Sequence, residues 1–134
     1  MTPTDPTTDT PLGLLLVDDH PVVRAGLKAL LEADGTLAVR AEAGDGAEAL
    51  AALDDHHVDV VIMDLQMPTM DGPTAIRRLR DRGGPPVLVL TTYETQADIV
   101  SALEAGATGY LLKDSPAEQL REACLLYTSP SPRD

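Results

Sequence analysis

The chain has no Phe or Trp and only three Tyr among its 134 residues. Hydrophobic residues still make up 43%, so Leu, Val, Ile, Ala and Met must form the core of what its length predicts to be one compact domain. One cysteine excludes an internal disulfide framework. No apolar run approaches the ~20 residues that span a bilayer, and MTPTDPTTDTP lacks the basic and apolar regions of a signal peptide. We therefore expect a cytoplasmic protein without a membrane partner.

Basic residues are also scarce. Ten Lys and Arg stand against 22 Asp and Glu, which gives a formal net charge of −12. Binding to nucleic acid requires Lys and Arg to neutralise phosphates, so this segment is not expected to bind DNA by itself. The same charge disfavours an anionic membrane surface. Most of the acidic residues are interpreted as serving solubility.

Short apolar runs alternate with helical patterns along the chain. The predicted strands cover about residues 12–17, 36–43, 58–63, 87–90 and 108–112, and a helix is predicted after each. Strict alternation predicts a parallel sheet with helices on both faces and right-handed crossovers. We expect a flavodoxin-like (βα)5 three-layer sandwich with strand order 2-1-3-4-5 and the second strand at an edge. A Rossmann fragment is disfavoured, because VDDHPVVRAG stands where that fold requires G-x-G-x-x-G.

Polar side chains follow four of the predicted strands where each strand ends: Asp18 and Asp19, Asp64, Thr91, and Lys113. Ligands of open parallel sheets bind at the carboxyl ends of the strands. Strands 1 and 3 are neighbours in the predicted order, so their acids should lie about 5 Å apart. The long side chain of Lys113 could cover much of the ~10 Å from strand 5 to strand 3.

This collection of groups suits Mg²⁺-dependent phosphoryl transfer. Adjacent carboxylates repel one another, and Mg²⁺, which prefers oxygen ligands, offsets that cost. One carboxylate can then act as a nucleophile towards phosphorus, while the metal and an ammonium neutralise the phosphoryl oxygens. Each residue alone has a simpler interpretation, as a helix cap, a loop acid, a strand end or a surface lysine. Their joint occurrence at four strand ends favours one site. His20, His56 and His57 are interpreted as surface or capping residues.

Several stretches of the chain, taken together, resemble the receiver domain of bacterial two-component response regulators: LLLVDDHPVVRAGLKALL, AGDGAEAL, VDVVIMDLQMPTMDG, VLVLTTY and AGATGYLLKDSPAEQL. The likeness covers about Leu12 to Ala123. It is strongest to the subfamily whose output is a LuxR/NarL-type helix-turn-helix.

The resemblance implies a role for each site residue. Asp64 would accept a phosphoryl group from a sensor histidine kinase, and Lys113 would contact the phosphate. Asp18 and Asp19 would hold Mg²⁺ together with Asp64 and the backbone carbonyl of Gln66. Switching would involve Thr91 and Tyr110, whereas Gln66 and Tyr93 would tune the phosphoryl lifetime. The chain would be a phosphoacceptor that assists its own phosphorylation and dephosphorylation, not an enzyme. Homodimerisation on phosphorylation, and DNA binding through a missing C-terminal domain, would be its outputs.

The two ends of the chain differ from this pattern. Residues 1–11 are rich in Thr, Pro and Asp and are predicted to form a disordered tail, which leaves residues 12–123 as the receiver domain. The ending CLLYTSPSPRD resembles the conceptual translation of a transposon-end sequencing adapter. We therefore expect residues 124–134 to be non-native and to extend the last helix by chance until Pro130. A genuine Ser/Pro-rich linker is the alternative.

Two other functions remain open from the sequence. A stand-alone receiver would act as a protein-protein interaction module without a DNA-binding output. A phosphohydrolase with an Asp nucleophile would be expected to carry D-x-D after the first strand. That second function is disfavoured, because Asp18 and Asp19 are adjacent and Asp64 follows the third strand.

Overall fold

A computed structural model describes residues 11–64, 72–91, 96–113 and 115–128. Five strands and five helices alternate through these ranges. The strands are β1 (Leu12–Val17), β2 (Leu37–Ala43), β3 (Val60–Asp64), β4 (Val87–Thr91) and β5 (Gly109–Leu112). The helices are α1 (Pro21–Glu32), α2 (Gly46–Asp55), α3 (Gly72–Asp81), α4 (Gln96–Ala105) and α5 (Ala117–Thr128).

The five strands form one parallel sheet in the order β2-β1-β3-β4-β5. This confirms the predicted flavodoxin-like arrangement and the edge position of β2. Val17 of β1 pairs with Met63 of β3, so the chain leaves both strands at the same level, at Asp18 and Asp64. The sheet register therefore brings the two predicted acidic positions side by side.

Two apolar layers cover the sheet, one on each face. One layer includes Leu15, Val17, Val61, Met63, Val87 and Val89, and the other includes Leu14, Leu16, Val60, Ile62, Leu88 and Leu90. Successive side chains of a strand point to opposite faces, so a strand covered on both faces needs an unbroken apolar run. Such runs make β1, β3 and β4 rigid supports for whatever follows their carboxyl ends.

The helix boundaries follow local signals in the sequence. Pro21 is the first residue of α1, where its missing N–H costs little. Asp45 caps α2, because its side chain accepts a hydrogen bond from the Glu48 N–H at 2.8 Å. Gly35 has φ 81° after α1, a left-handed conformation that glycine adopts without a steric penalty. Helix α5 begins at Ala117, directly after Pro116.

Helix α5 continues past Ala123, where native sequence was expected to end, to Thr128. Leu120 and Cys124 are buried on its inner side, in the same apolar layer as Leu14 and Leu16. The predicted extension of this helix is confirmed, whereas its predicted stop at Pro130 lies outside the described residues. Among the residues that the structure describes, no helix is both long enough and apolar enough to cross a membrane.

Candidate functional site

Three carboxylates meet at the carboxyl edge of the sheet. Asp18 and Asp19 follow β1, and Asp64 ends β3. Asp18 and Asp64 are almost fully buried, at 0% and 1% exposure. One side-chain ligand atom from each of these acids lies within 4.8 Å of the others, and an atom of His20 belongs to the same group. The spacing expected from the neighbouring strands is therefore present.

Lys113 reaches this group from the far side of β4. Its backbone N–H donates a hydrogen bond to the Thr91 carbonyl at 2.9 Å, which fixes the residue at the end of β5. Its Nζ atom donates to Asp64 Oδ2 at 3.0 Å and lies 3.7 Å from Asp18 Oδ2. The predicted span from β5 to β3 is thus bridged by one side chain, and the ammonium offsets part of the charge of the buried acids.

The cluster still contains oxygens without a hydrogen-bond donor. Asp18 Oδ1 accepts the His20 backbone N–H at 2.8 Å, but Asp18 Oδ2 and Asp19 Oδ1 are shielded from water and accept no hydrogen bond. A buried ionised oxygen left in this state is costly unless a cation compensates it. Carboxylate oxygens grouped in this way are the ligands that hard divalent cations prefer. The residues present therefore fit an oxygen-binding cation such as Mg²⁺.

Arg24 supports the acidic loop, and the sequence interpretation did not identify it. From the first turns of α1, its Nη1 atom donates to the Asp18 carbonyl at 2.6 Å and to the Ala43 carbonyl at 3.4 Å. Its Nε atom donates to Glu42 at 2.9 Å. One guanidinium thus ties the ends of β1 and β2 together. Its position six residues after Asp18, on the first helix, is the only sequence signal for this role.

The other predicted residues have different surroundings. Thr91 is buried, with 1% exposure, at the end of β4, the strand next to β3. Tyr110 of β5 is 48% exposed and borders a surface groove with Gln119 and Leu126 of α5. Gln66 and Tyr93 lie outside the described residues, so their predicted roles have no structural counterpart here.

His20 occupies the N-cap position of α1, but its side chain makes no capping hydrogen bond. Of the two predicted interpretations, a surface or a capping residue, its exposure confirms the surface position. The ring instead turns towards the acids: Nδ1 lies 2.9 Å from Asp19 Oδ1 and 3.6 Å from Asp18 Oδ1. Direct adjacency to the acidic pair was the available signal.

Comparison with known families agrees with this geometry. The response regulator receiver domain family matches residues 14–125, and the chain belongs to that family. It is 43% identical over 115 residues to the nitrate/nitrite response regulator protein NarP of Escherichia coli, covering 85% of this chain and 54% of NarP. It is 41% identical over 107 residues to the transcriptional regulatory protein YdfI of Bacillus subtilis, covering 80% of this chain and 50% of YdfI. The chain thus spans about half the length of these relatives.

Solved structures show the same fold. The signal receiver domain of the response regulator NarL from Mycobacterium tuberculosis has a TM-score of 0.83 and 34% identity, covering 90% of this chain and 98% of that domain. A LuxR-family two-component response regulator from Aurantimonas sp. SI85-9A1 has a TM-score of 0.79 and 35% identity, with 92% of each chain covered. The chain is therefore a receiver domain of the NarL/LuxR type, a class of signalling modules.

Proposed function

We propose that Asp64 accepts a phosphoryl group from a sensor histidine kinase in a Mg²⁺-dependent reaction. The observation that best supports this is the pairing of a buried Asp64 carboxylate with Lys113 Nζ at 3.0 Å, beside the unsatisfied oxygen Asp18 Oδ2. A carboxylate held this way has both a cation and additional acids close to it. That arrangement suits a nucleophile whose negatively charged target must be neutralised.

In the proposed reaction an Asp64 oxygen attacks phosphorus. One bond forms between that oxygen and phosphorus, the bond from phosphorus to the donor breaks, and its electron pair leaves with the donor. Asp18, Asp19, Asp64 and the Gln66 carbonyl would hold Mg²⁺, which when bound supplies positive charge to the phosphoryl oxygens. Lys113 would turn from the free carboxylate to a phosphoryl oxygen, because its ammonium already lies within reach of Asp64.

Thr91 and Tyr110 would report phosphorylation. A phosphoryl group adds negative charge and oxygen acceptors at the end of β3, and Thr91 lies at the end of the neighbouring strand. Movement of the Thr91 hydroxyl towards the new oxygens would vacate space that the half-exposed ring of Tyr110 could enter. The equilibrium between the two arrangements shifts only by the difference in stabilisation that phosphorylation gives them.

The output is proposed from the relatives. NarP is named a response regulator and YdfI a transcriptional regulatory protein, and each is about twice as long as the matched segment. We propose that the whole protein regulates transcription in the cytoplasm, with DNA bound by a helix-turn-helix domain that follows the receiver. Homodimerisation on phosphorylation would couple the two parts. The net charge of −12 agrees with DNA contact lying outside the receiver.

The test is phosphorylation of the purified chain by acetyl phosphate, followed by intact mass. One phosphoryl adduct should form with Mg²⁺ and be absent with EDTA. Asp64→Asn should remove it, whereas Asp55→Asn, which changes an exposed acid at the end of α2, should retain it. An adduct that persists in Asp64→Asn would contradict the assignment. So would the absence of any adduct in wild-type protein shown to be folded by circular dichroism.

A further inference from the structure

The acidic site carries a nitrogen donor that its proposed chemistry does not use. His20 Nδ1 lies 2.9 Å from Asp19 Oδ1 and 3.6 Å from Asp18 Oδ1, although two thirds of the side chain (66%) is exposed. A backbone hydrogen bond also holds the residue in place, since the His20 N–H donates to Asp18 Oδ1 at 2.8 Å. The ring is thus a largely exposed neighbour of the carboxylate cluster.

The distances between donor atoms suit a shared cation. Ligands that bind one metal at about 2.1 Å in octahedral geometry lie about 3.0 Å apart when adjacent and about 4.2 Å apart when opposite. The donor atoms of Asp18, Asp19, His20 and Asp64 all lie within 4.8 Å of one another. His20 Nδ1 is 2.9 Å from Asp19 Oδ1, close to the adjacent spacing, and 3.6 Å from Asp18 Oδ1, between the adjacent and opposite spacings. The bound of 4.8 Å exceeds the opposite spacing by less than 1 Å, so small side-chain movements would be needed for all four to reach one ion.

An independent observation indicates that a ligand is expected here. Asp18 Oδ2 belongs to a side chain with 0% exposure, accepts no hydrogen bond, and has Lys113 Nζ at 3.7 Å. Among the described residues, the unsatisfied buried oxygens are this atom and Asp19 Oδ1, and both belong to the acidic pair before His20. The imidazole lies beside one of these two oxygens, Asp19 Oδ1, and beside the other oxygen of the Asp18 carboxylate, Oδ1.

We propose that His20 Nδ1 is a ligand for divalent transition metals in this site, which makes the site selective for Ni²⁺ or Zn²⁺ over Mg²⁺ beyond what its carboxylates provide. The inference rests on the proposed metal site and concerns which ions it takes. Imidazole nitrogen suits the later first-row ions, whereas Mg²⁺ prefers oxygen and keeps several waters. A transition metal held by His20 would occupy the position that the proposed phosphorylation needs for Mg²⁺, so the two ions would compete.

A simpler arrangement predicts something different. If the His20 ring only donates a hydrogen bond to Asp19, its removal would weaken the binding of every divalent cation to a similar extent, through a less ordered Asp19. If Nδ1 is itself a ligand, removal should act mainly on the ions that bind imidazole well. The ratio of Ni²⁺ to Mg²⁺ affinity therefore separates a ligand from a neighbour of ligands.

Calorimetric titration of the full chain with Ni²⁺ and with Mg²⁺ measures this ratio. In His20→Asn the ratio of the two affinities should fall at least about tenfold, the lower end of what loss of a contact at a metal site costs. His57→Asn is the matched control: its ring is 91% exposed and lies 3.7 Å from Asp59 Oδ1, at the other end of β3. It should leave the ratio unchanged. An unchanged ratio in His20→Asn would overturn the proposal.

A spectroscopic measurement gives a second decision. Pulsed EPR of Mn²⁺ bound to the wild-type chain should show coupling to the imidazole ¹⁴N nucleus, and His20→Asn should abolish it while His57→Asn keeps it. Coupling absent in the wild type would reject His20 as a ligand.

Asp19→Asn should weaken the binding of both Ni²⁺ and Mg²⁺. If Mg²⁺ binds and Asp64 is phosphorylated but the nitrogen signal is missing, only this inference fails; absence of Mg²⁺ binding and of the phosphoryl adduct would defeat the proposed function as well.

Discussion

Lys113 Nζ lies 3.0 Å from Asp64 Oδ2 and 3.7 Å from Asp18 Oδ2, so its ammonium is paired with both buried acids. The Lys113 side chain is only 26% exposed, so water screens the interaction weakly. One positive charge faces three carboxylates. The balance of charge in this small volume therefore determines how each substitution below should act.

Replacing Lys113 by Met should destabilise the chain in EDTA, because the buried acids lose their compensating charge. The expected loss in the free energy of unfolding is about 1–3 kcal/mol, and Mg²⁺ should recover part of it. Urea denaturation with EDTA and with Mg²⁺ measures both quantities. Lys28→Met is the control, since that lysine is 42% exposed and lies 3.7 Å from Glu42. Equal losses in the two variants would contradict the argument.

Replacing Asp18 by Asn should have the opposite effect. It removes one of the crowded negative charges and keeps an oxygen that can accept the His20 N–H, so the free energy of unfolding in EDTA should rise by about 1–2 kcal/mol. The stabilisation that Mg²⁺ gives to the wild type should be largely lost. Thermal denaturation with and without Mg²⁺ tests this. A variant less stable than wild type in EDTA would show that Asp18 is a structural acid.

Replacing Arg24 by Met should loosen the loop that carries the acids. Three hydrogen bonds are lost, to the carbonyls of Asp18 and Ala43 and to Glu42, and the carbonyls are partly buried. We expect a decrease in unfolding free energy of about 1–3 kcal/mol together with weaker Mg²⁺ binding, measured by urea denaturation and calorimetry. Arg77→Met, at an exposed position of α3, should change neither. Unaltered Mg²⁺ affinity in Arg24→Met would limit Arg24 to a role in folding.

Burial of Cys124 predicts that the free energy of unfolding depends on pH. Desolvation disfavours the thiolate and raises the pKa of Cys124 from an ordinary 9.0 to about 12. The pKa is raised in the folded state, so the buried thiol contributes fully to the free energy of unfolding below pH 9. That contribution is lost as pH rises towards 12. At pH 10 the loss relative to Cys124→Ala should be about 1.4 kcal/mol.

The measurement is urea denaturation of the wild type and Cys124→Ala between pH 8 and about pH 10.5. The difference between their free energies of unfolding isolates Cys124, because the other titrating groups are common to both proteins. The wild-type thiol should also react slowly with a thiol reagent until the chain unfolds. A difference in stability that stays constant across this range would mean that Cys124 ionises as readily in the folded chain as in the unfolded one.

The strand order could be predicted because unbroken apolar runs identify strands covered on both faces. Once β1 and β3 were recognised, their adjacency in the sheet brought Asp18 near Asp64 without further information. The reach of Lys113 was also predictable, since the length of a lysine side chain is fixed and the strand spacing is nearly constant. These parts of the site depend on topology, which the pattern of residues largely determines.

The contributions of Arg24 and His20 were not predictable in the same way. Both depend on the direction in which a side chain leaves the start of α1, and that direction follows from packing around the acidic loop rather than from spacing along the chain. Arg24 points back to the Asp18 carbonyl, and the His20 ring turns from the helix end towards Asp19. The sequence indicated only a surface or capping residue at His20, because position along the chain does not determine the rotamer.

Lys113 touches three strands at once: it follows β5, its backbone N–H is bonded to Thr91 at the end of β4, and its side chain is bonded to Asp64 at the end of β3. Lys113 therefore connects the carboxyl ends of β3, β4 and β5. A force that pulls the ammonium towards a new anion on β3 acts through the same residue on the hydrogen bond that joins β4 to β5. A new negative charge at Asp64 would therefore act, through Lys113, on the contact between β4 and β5.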